Sequence, residues 1–262
     1  MFRAVLRLFR LLKAHLGRIA VPQQPSGIRT GTAGLGLGLN AGDEHYRAYV
    51  GPPQDYDLVA AMVFNLLTCL GLRQHHRLLD IGCGSLRLGR LLIPYLNPGH
   101  YTGVEPNRWL VEDGIANEIG QDLVRIKQPA FSFQASLEEF ERPLELDFAV
   151  AQSIFSHCGL DLIEHWLSQV ALHLKNDGAL LATFLPADED YPGDGWVYPG
   201  CVNYRPQTLA TLAARRGLDF EVIDWAHPRQ SWAIFSKKDY DKSLLTGAPI
   251  SWNRFVHREL QR

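Results

Sequence analysis

The sequence predicts an α/β protein built on a mostly parallel sheet, with helices on both faces and one antiparallel strand near an edge. Two observations predict it. Short apolar runs of strand length alternate with longer stretches of helical spacing, the rhythm of strand–helix–strand units. Two late apolar runs then follow one another with no helix between them, so one must double back on its neighbour.

In chain order, Tyr56 to Leu70 has helical spacing after Gly51-Pro52-Pro53, and Arg77 to Ile81 is a short apolar strand. Leu86 to Leu96 returns to helical spacing, Tyr101 to Glu105 reads as the second strand, and a helix is expected from Arg108 to Ile119. Phe131 to Gln134 and Leu146 to Ala151 are the third and fourth strands. A helix from Asp161 to Lys175 is expected to stop at Asn176-Asp177-Gly178, because Asn and Gly tolerate the left-handed conformation that ends helices. Ala179 to Leu185 is the fifth strand, Thr208 to Arg216 a helix closed by Gly217, and Leu218 to Trp225 with Ser231 to Ser236 the final pair.

The chain has 262 residues, 46% of them hydrophobic and 21% charged, enough for one α/β domain with extensions. Its net charge of -2 is unevenly spread: residues 1–42 hold six basic residues and no acid, leaving 20 basic against 28 acidic residues beyond. An acidic body argues against a nucleic-acid partner. Cys69, Cys83, Cys158 and Cys201 are widely spaced and include no Cys-x-x-Cys pair, which fits a reducing, cytoplasmic setting. In residues 1–20, Val5, Leu6, Leu8, Phe9, Leu12, Leu16 and Ile19 share one helical arc beside Arg3, Arg7, Arg10 and Lys13. Such a helix is expected to lie on a membrane surface, at the inner face of a membrane, or in a partner groove. Residues 21–42, with six glycines between Gly27 and Gly42, read as a flexible linker. The folded domain is expected over 43–240, with a C-terminal extension over 241–262.

Asp80-Ile-Gly-Cys-Gly84 is the most informative segment. Gly82 and Gly84 fall where a strand turns into a helix and lack the Cβ that would keep a ligand off the backbone. Glu105 ends the next strand, where a carboxylate can accept hydrogen bonds from both ribose hydroxyls. A dinucleotide fingerprint needs a third glycine at the position of Arg87, and a phosphate loop needs Gly-Lys-Ser/Thr, which is absent. Asp80 would repel a pyrophosphate but suits a cationic amino-acid moiety. Together these residues fit S-adenosylmethionine.

With those motifs, residues 55–237 resemble the class I S-adenosylmethionine-dependent methyltransferases. The resemblance implies a Rossmann-like sheet of seven strands, the last antiparallel. It further implies that Gly82, Cys83 and Gly84 border the methionine part, that Glu105 holds the ribose, and that Pro106 and Asn107 flank the adenine opposite Ala135 and Ser136. Gln152 and Ser153 would then lie beside the methyl group. Many members carry a third glycine where this chain has Leu86, a change expected to narrow the methionine pocket.

Acceptor determinants are expected after the fourth and fifth strands. The Asn/Asp-Pro-Pro-Tyr/Phe sequence of enzymes that methylate exocyclic amines of DNA bases is absent after Ala151. His157 is the best-placed base, since an imidazole titrates near neutrality; the other reading is a packed or capping histidine. A pairing of Cys158 with His157 is disfavoured, because sequence neighbours rarely face each other. The long loop from Pro186 carries Tyr191, Trp196 and Tyr198, an expected aromatic wall for the acceptor, with Asp188, Glu189, Asp190 and Asp194 as an acidic rim. The expected activity is methyl transfer to a small molecule such as a glycan or lipid precursor; the alternative is a non-catalytic S-adenosylmethionine-binding or scaffold protein.

Overall fold

A computed structural model describes residues 32–246. The amphipathic stretch 1–20, residues 21–31 and residues 247–262 of the C-terminal extension lie outside the described residues. A compact unit begins at Leu35.

Seven strands form one sheet in the order β3-β2-β1-β4-β5-β7-β6. They are β1 (Leu78–Ile81), β2 (Tyr101–Val104), β3 (Ala130–Ser132), β4 (Leu146–Ala151), β5 (Leu174–Phe184), β6 (Asp219–Ile223) and β7 (Ser231–Ser236). β7 runs antiparallel between β5 and β6, and the other pairings are parallel, as the alternation of elements requires. The helices are α1 (Tyr56–Cys69), α2 (Gly89–Tyr95), α3 (Arg108–Gly114), α4 (Gln121–Lys127), α5 (Leu160–His173), α6 (Pro206–Arg215) and a short α7 (Ser243–Thr246).

The two faces are covered by different helices. Leu79, Ile81, Ala149 and Ala151 share a core with Trp166 and Leu167 of α5 and Leu209 of α6. Leu78, Phe148 and Val150 point the other way, into a core with Leu66 of α1, Leu92 of α2 and Val111 of α3. Alternate residues of the same strand feed opposite cores, which is why these strands are apolar throughout.

Three boundaries depart from the sequence reading. Helix α5 ends at His173, and Asn176-Asp177-Gly178 lies within β5, not after a helix. The register explains it: Leu146 pairs with Leu174 but Phe148 with Ala179, so three extra residues bulge from β5. The expected helix over 108–119 becomes α3 followed by a π turn at Ile115–Ile119, and Gly120, at a φ of 76°, starts the unanticipated α4. Finally, residues 35–42 pack onto the body instead of hanging from it. Gly36 is buried against the His45 ring, and Gly42 N–H donates to Ala48 O at 2.8 Å.

Candidate functional site

The register brings the key residues together at one edge. Ile81 pairs with Val104 and Asp80 with Val150, so Gly82, Glu105 and Gln152 all lie just past the carboxyl ends of adjacent strands. The glycines of the loop need their freedom: Gly82 has a φ of 66° and Gly84 of 53°. Leu86, where a third glycine was noted as missing, also adopts a left-handed φ of 61°. Its side chain is fully buried and fits against Gly89 of α2 and Gly114 of α3. Leu86 therefore fills space beneath the helices, and the expected narrowing of the methionine pocket is not what its packing produces.

Glu105 is buried and held from three directions. Gly84 N–H donates to Oε2 at 3.1 Å, while Asn107 N–H and its side-chain amide donate to Oε1 at 2.8 and 2.9 Å. Burial raises its pKa and these donors oppose that. Oε2 keeps lone-pair capacity for a further donor. Asp80 is also buried, and Tyr101 donates to its Oδ2 at 2.8 Å. Burial pushes its pKa up to about 7, against the lowering effects of Tyr101 and Arg87. Cys83 is buried with its thiol against Gly103, and burial raises its pKa well above the usual value. Pro106 and Asn107 are exposed past β2. Ala135 is exposed after β3, and Ser136 Oγ accepts from Glu138 N–H at 3.0 Å.

A strap that sequence reasoning missed covers the glycine loop. Val50 Cγ1 stands 2.6 Å from where a Cβ on Gly84 would be, and Ile154, after β4, stands over Gly82. The strap is anchored by Arg47, which pairs with Glu118 at 2.6 Å and Asp57 at 3.3 Å and lies over the Tyr56 ring. Tyr56 in turn donates to Ser85 O at 3.0 Å, which ties the anchor to the loop. Tyr49 carries the strap across the edge: its ring meets Trp109 at 5.2 Å and Tyr198 at 5.5 Å, and its carbonyl accepts from the Tyr198 hydroxyl. A run of Tyr-Arg-Ala-Tyr-Val between Gly42 and Gly51 was the available signal.

Gln152 accepts from Arg87 Nη2 and donates to Ser153 Oγ at 2.6 Å. The β6–β7 loop closes over them: Gln230 donates to Ser153 Oγ at 2.8 Å, and His227 Nε2 lies 3.3 Å from Gln152. A cavity of about 450 Å³ opens beside His227 and Gln230 at the end of β6. Neither residue has a sequence signature.

His157 sits in a single 3₁₀ turn after β4 and is 8% exposed. Its Nδ1 is 2.6 Å from Gly200 O. A carbonyl only accepts, so Nδ1 carries the proton and Nε2 keeps its lone pair. Burial lowers the pKa, so the ring is neutral at pH 7. The neighbouring thiol is that of Cys201, 4.0 Å from Nδ1. Cys158 is buried and its pKa is pushed up to about 12 by burial.

Trp196 and Tyr198 flank His157, with ring centroids at 5.7 and 5.0 Å, and stack on each other. Trp196 is 54% exposed, so this wall has an open face. Tyr191 stands apart, packed against the core beneath α5 and α6 with its N–H donating to Asn203 O. Asp190 is likewise drawn away from the expected rim, accepting from Arg205 at 2.6 Å and Thr208 at 2.7 Å and so tying the loop to α6.

The chemistry of this edge fits S-adenosylmethionine: a buried carboxylate past β2, a left-handed glycine loop covered by the apolar side chains of Val50 and Ile154, and a buried acid beneath it. Residues 79–180 match the family model described as a methyltransferase domain. Among solved structures, magnesium protoporphyrin IX methyltransferase from Synechocystis PCC 6803 with bound SAM is 14% identical, with 71% of this chain and 81% of that chain covered and a TM-score of 0.54. The PH0226 protein from Pyrococcus horikoshii OT3 is 14% identical, over 71% of this chain and 92% of that one, with a TM-score of 0.52. The cyclase SpnF is 16% identical, over 71% and 83%, with a TM-score of 0.54. The fold is thus shared with another chemistry, and the methyltransferase likeness rests on the match over 79–180. Over residues 79–180 the chain is similar to a methyltransferase domain, and its fold is the one found in the S-adenosylmethionine-bound methyltransferase structure.

Proposed function

We propose that the protein methylates a small-molecule acceptor, of the kind of a glycan or lipid precursor, bound between the aromatic wall and His157. The observation that carries this reading is the His157 tautomer: Nδ1 bonded to Gly200 O leaves Nε2 as a neutral acceptor beside Trp196 and Tyr198. When bound, S-adenosylmethionine supplies an electrophilic methyl group on a sulfonium. Gly82, Cys83 and Gly84 offer bare backbone to its methionine part, and Glu105 accepts from the ribose hydroxyls. Pro106, Asn107, Ala135 and Ser136 border the adenine, and Gln152 faces the reacting end. His157 Nε2 takes the acceptor's proton, and the aromatic wall orients the acceptor and sheds water.

Among the described residues, no helix is long and apolar enough to cross a membrane. Residues 1–20 are proposed to touch a membrane surface, on the strength of their basic and apolar arcs. The cofactor assignment is tested by calorimetry with S-adenosylhomocysteine. Glu105→Ala should weaken binding roughly tenfold or more, as loss of a charged hydrogen bond does, and Gly84→Val should weaken it as well. Unchanged affinity in both folded variants defeats the assignment.

A further inference from the structure

The loop from β6 to β7 opens at the same edge of the sheet as the glycine loop, because β5 and β6 both run antiparallel to β7. The cavity of about 450 Å³ that it forms lies within the range of about 300–1,000 Å³ usual for small-molecule sites. In this loop His227 Nδ1 accepts from the backbone N–H groups of Arg229 and Gln230, at 3.2 and 2.9 Å. A backbone N–H only donates, so Nδ1 carries no proton. Burial and the charges of Arg87 and Arg229 lower the ring's pKa to about 4, so the neutral ring bears its single proton on Nε2. Facing Nε2 at 3.3 Å is Gln152 Nε2, itself a donor, because the Gln152 oxygen accepts from Arg87. The His227 N–H is left without an acceptor. Gln230 shows the converse. Its amide N–H reaches Ser153 Oγ at 2.8 Å, while Oε1 is buried and has no donor among the described residues. Both residues line the same cavity.

The complement is a ligand that offers an acceptor and a donor together, as a hydroxyl does. A carboxylate would bring no proton to Gln230 Oε1, and an ammonium no acceptor to His227. The rest of the lining agrees. Asp224 adds an acceptor whose charge repels anions, and none of the described lining residues is Lys or Arg. Trp225 supplies a ring, held in place by donation of Nε1 to Met62 O at 3.0 Å. Hydroxyl-reading side chains beside an indole suit a sugar, which carries hydroxyls at its rim and C–H bonds on its faces.

We propose that the cavity at the end of β6 holds a sugar ring of the acceptor, its hydroxyls accepting from His227 Nε2–H and donating to Gln230 Oε1. This rests on the methyl-transfer reading above and narrows its acceptor to a sugar-bearing molecule. Ser153 ties the cavity to the residues past β4: its Oγ accepts from Gln230 and, at 2.6 Å, from Gln152. Ser153 also keeps a left-handed φ of 58°, the kind of strain that surrounding structure sustains at working sites.

The test is ligand-observed NMR on the full chain mixed with S-adenosylhomocysteine. The probes are the methyl glycosides of glucose, galactose, mannose and N-acetylglucosamine, with glycerol 3-phosphate and ethanolamine as the anionic and cationic alternatives. At least one glycoside should bind saturably, and neither alternative should. His227→Phe and Gln230→Met should each weaken that binding roughly fivefold or more, as loss of a buried hydrogen bond does, with the fold checked by melting temperature. Unchanged glycoside affinity in both folded variants overturns the proposal. Binding of none of the glycosides to the wild-type protein overturns it even where the variants do not fold. Binding of glycerol 3-phosphate or ethanolamine in place of the glycosides, with the same sensitivity to the variants, gives the cavity to a lipid headgroup and overturns the sugar. The methyl-transfer reading fails separately: if calorimetry shows no binding of S-adenosylhomocysteine while a glycoside still binds, that reading falls and the sugar site stands without it.

Discussion

At the scale of single residues, Asp80 sets function against stability. Its pKa is raised by burial to about 7, so between roughly pH 4 and pH 7 the folded state binds more protons than the unfolded chain. Stability from this group therefore falls as pH rises through that window and stays low above it. Asp80→Asn should stabilise the fold at pH 8 by on the order of 1–3 kcal/mol and change little at pH 4, as read by urea unfolding. The same variant should bind S-adenosylhomocysteine more weakly. His157 titrates the other way. Its depressed pKa keeps the base form populated below pH 6.5, so the acid limb of kcat/KM should lie below that value. His157→Gln should lower kcat by about 10²-fold or more if Nε2 removes the proton; an unchanged kcat would return the ring to a packing role. Asp80, the glycines and Glu105 could be singled out in the sequence because the chemistry expected of them is carried by residue type at fixed spacing, and the fold brings them to one edge. His227 and Gln230 could not, since nothing local in the sequence says that a ring N–H and an amide oxygen will be left without partners.

At the scale of elements, strand–helix alternation announced the sheet, and its boundaries failed where tertiary context overrode local signals. Asn176-Asp177-Gly178 has the composition of a helix end, yet it bulges from a strand because β4 and β5 shift register there. The strap was missed for a related reason. Its stability comes from Glu118, Asp57 and Tyr56, up to 71 residues away, and not from any local periodicity. Breaking a buried pair leaves an uncompensated charge, so Arg47→Met should destabilise the fold by about 3 kcal/mol, measured by denaturant titration. A neutral result would mean that Arg90, 3.6 Å from Glu118, takes over the pairing. In the long loop, replacing Trp196 and Tyr198 by alanine should raise the acceptor's KM while S-adenosylhomocysteine affinity holds within about threefold, a change of about 0.6 kcal/mol. Collapse of cofactor binding with the fold intact would assign the loop to the cofactor.

At the scale of the whole molecule, charge divides the chain more sharply than hydrophobicity does. The compact unit begins at Leu35, so a chain starting there should keep the melting temperature of the full protein, whereas one starting at Asp43 loses the segment buried against His45 and should melt lower. The six basic residues before Asp43 are proposed to meet a membrane surface. Full-length protein should co-sediment with anionic vesicles in a salt-sensitive way, each basic residue contributing about 1 kcal/mol, and the chain starting at Leu35 should not. Equal partitioning of the two, or indifference to salt, would remove the electrostatic anchor. Composition put the junction of linker and body at residues 42–43. It misplaced the junction because glycine frequency reports the freedom of an unfolded chain, and Gly36 is held by a ring that only the fold brings near.

The cover over the glycine loop has a kinetic consequence. Val50 and Ile154 stand where ligand atoms must come if the bare backbone is to be touched. Association then requires a protein rearrangement, and the rate of a rearrangement does not grow with ligand concentration. In stopped-flow mixing, the observed rate with S-adenosylhomocysteine should level off at a plateau, and the measured affinity should be reduced by the fraction of molecules with the strap lifted. Loosening the anchor through Arg47→Met should raise that plateau while slowing nothing, so a variant weaker in folding would load its cofactor faster.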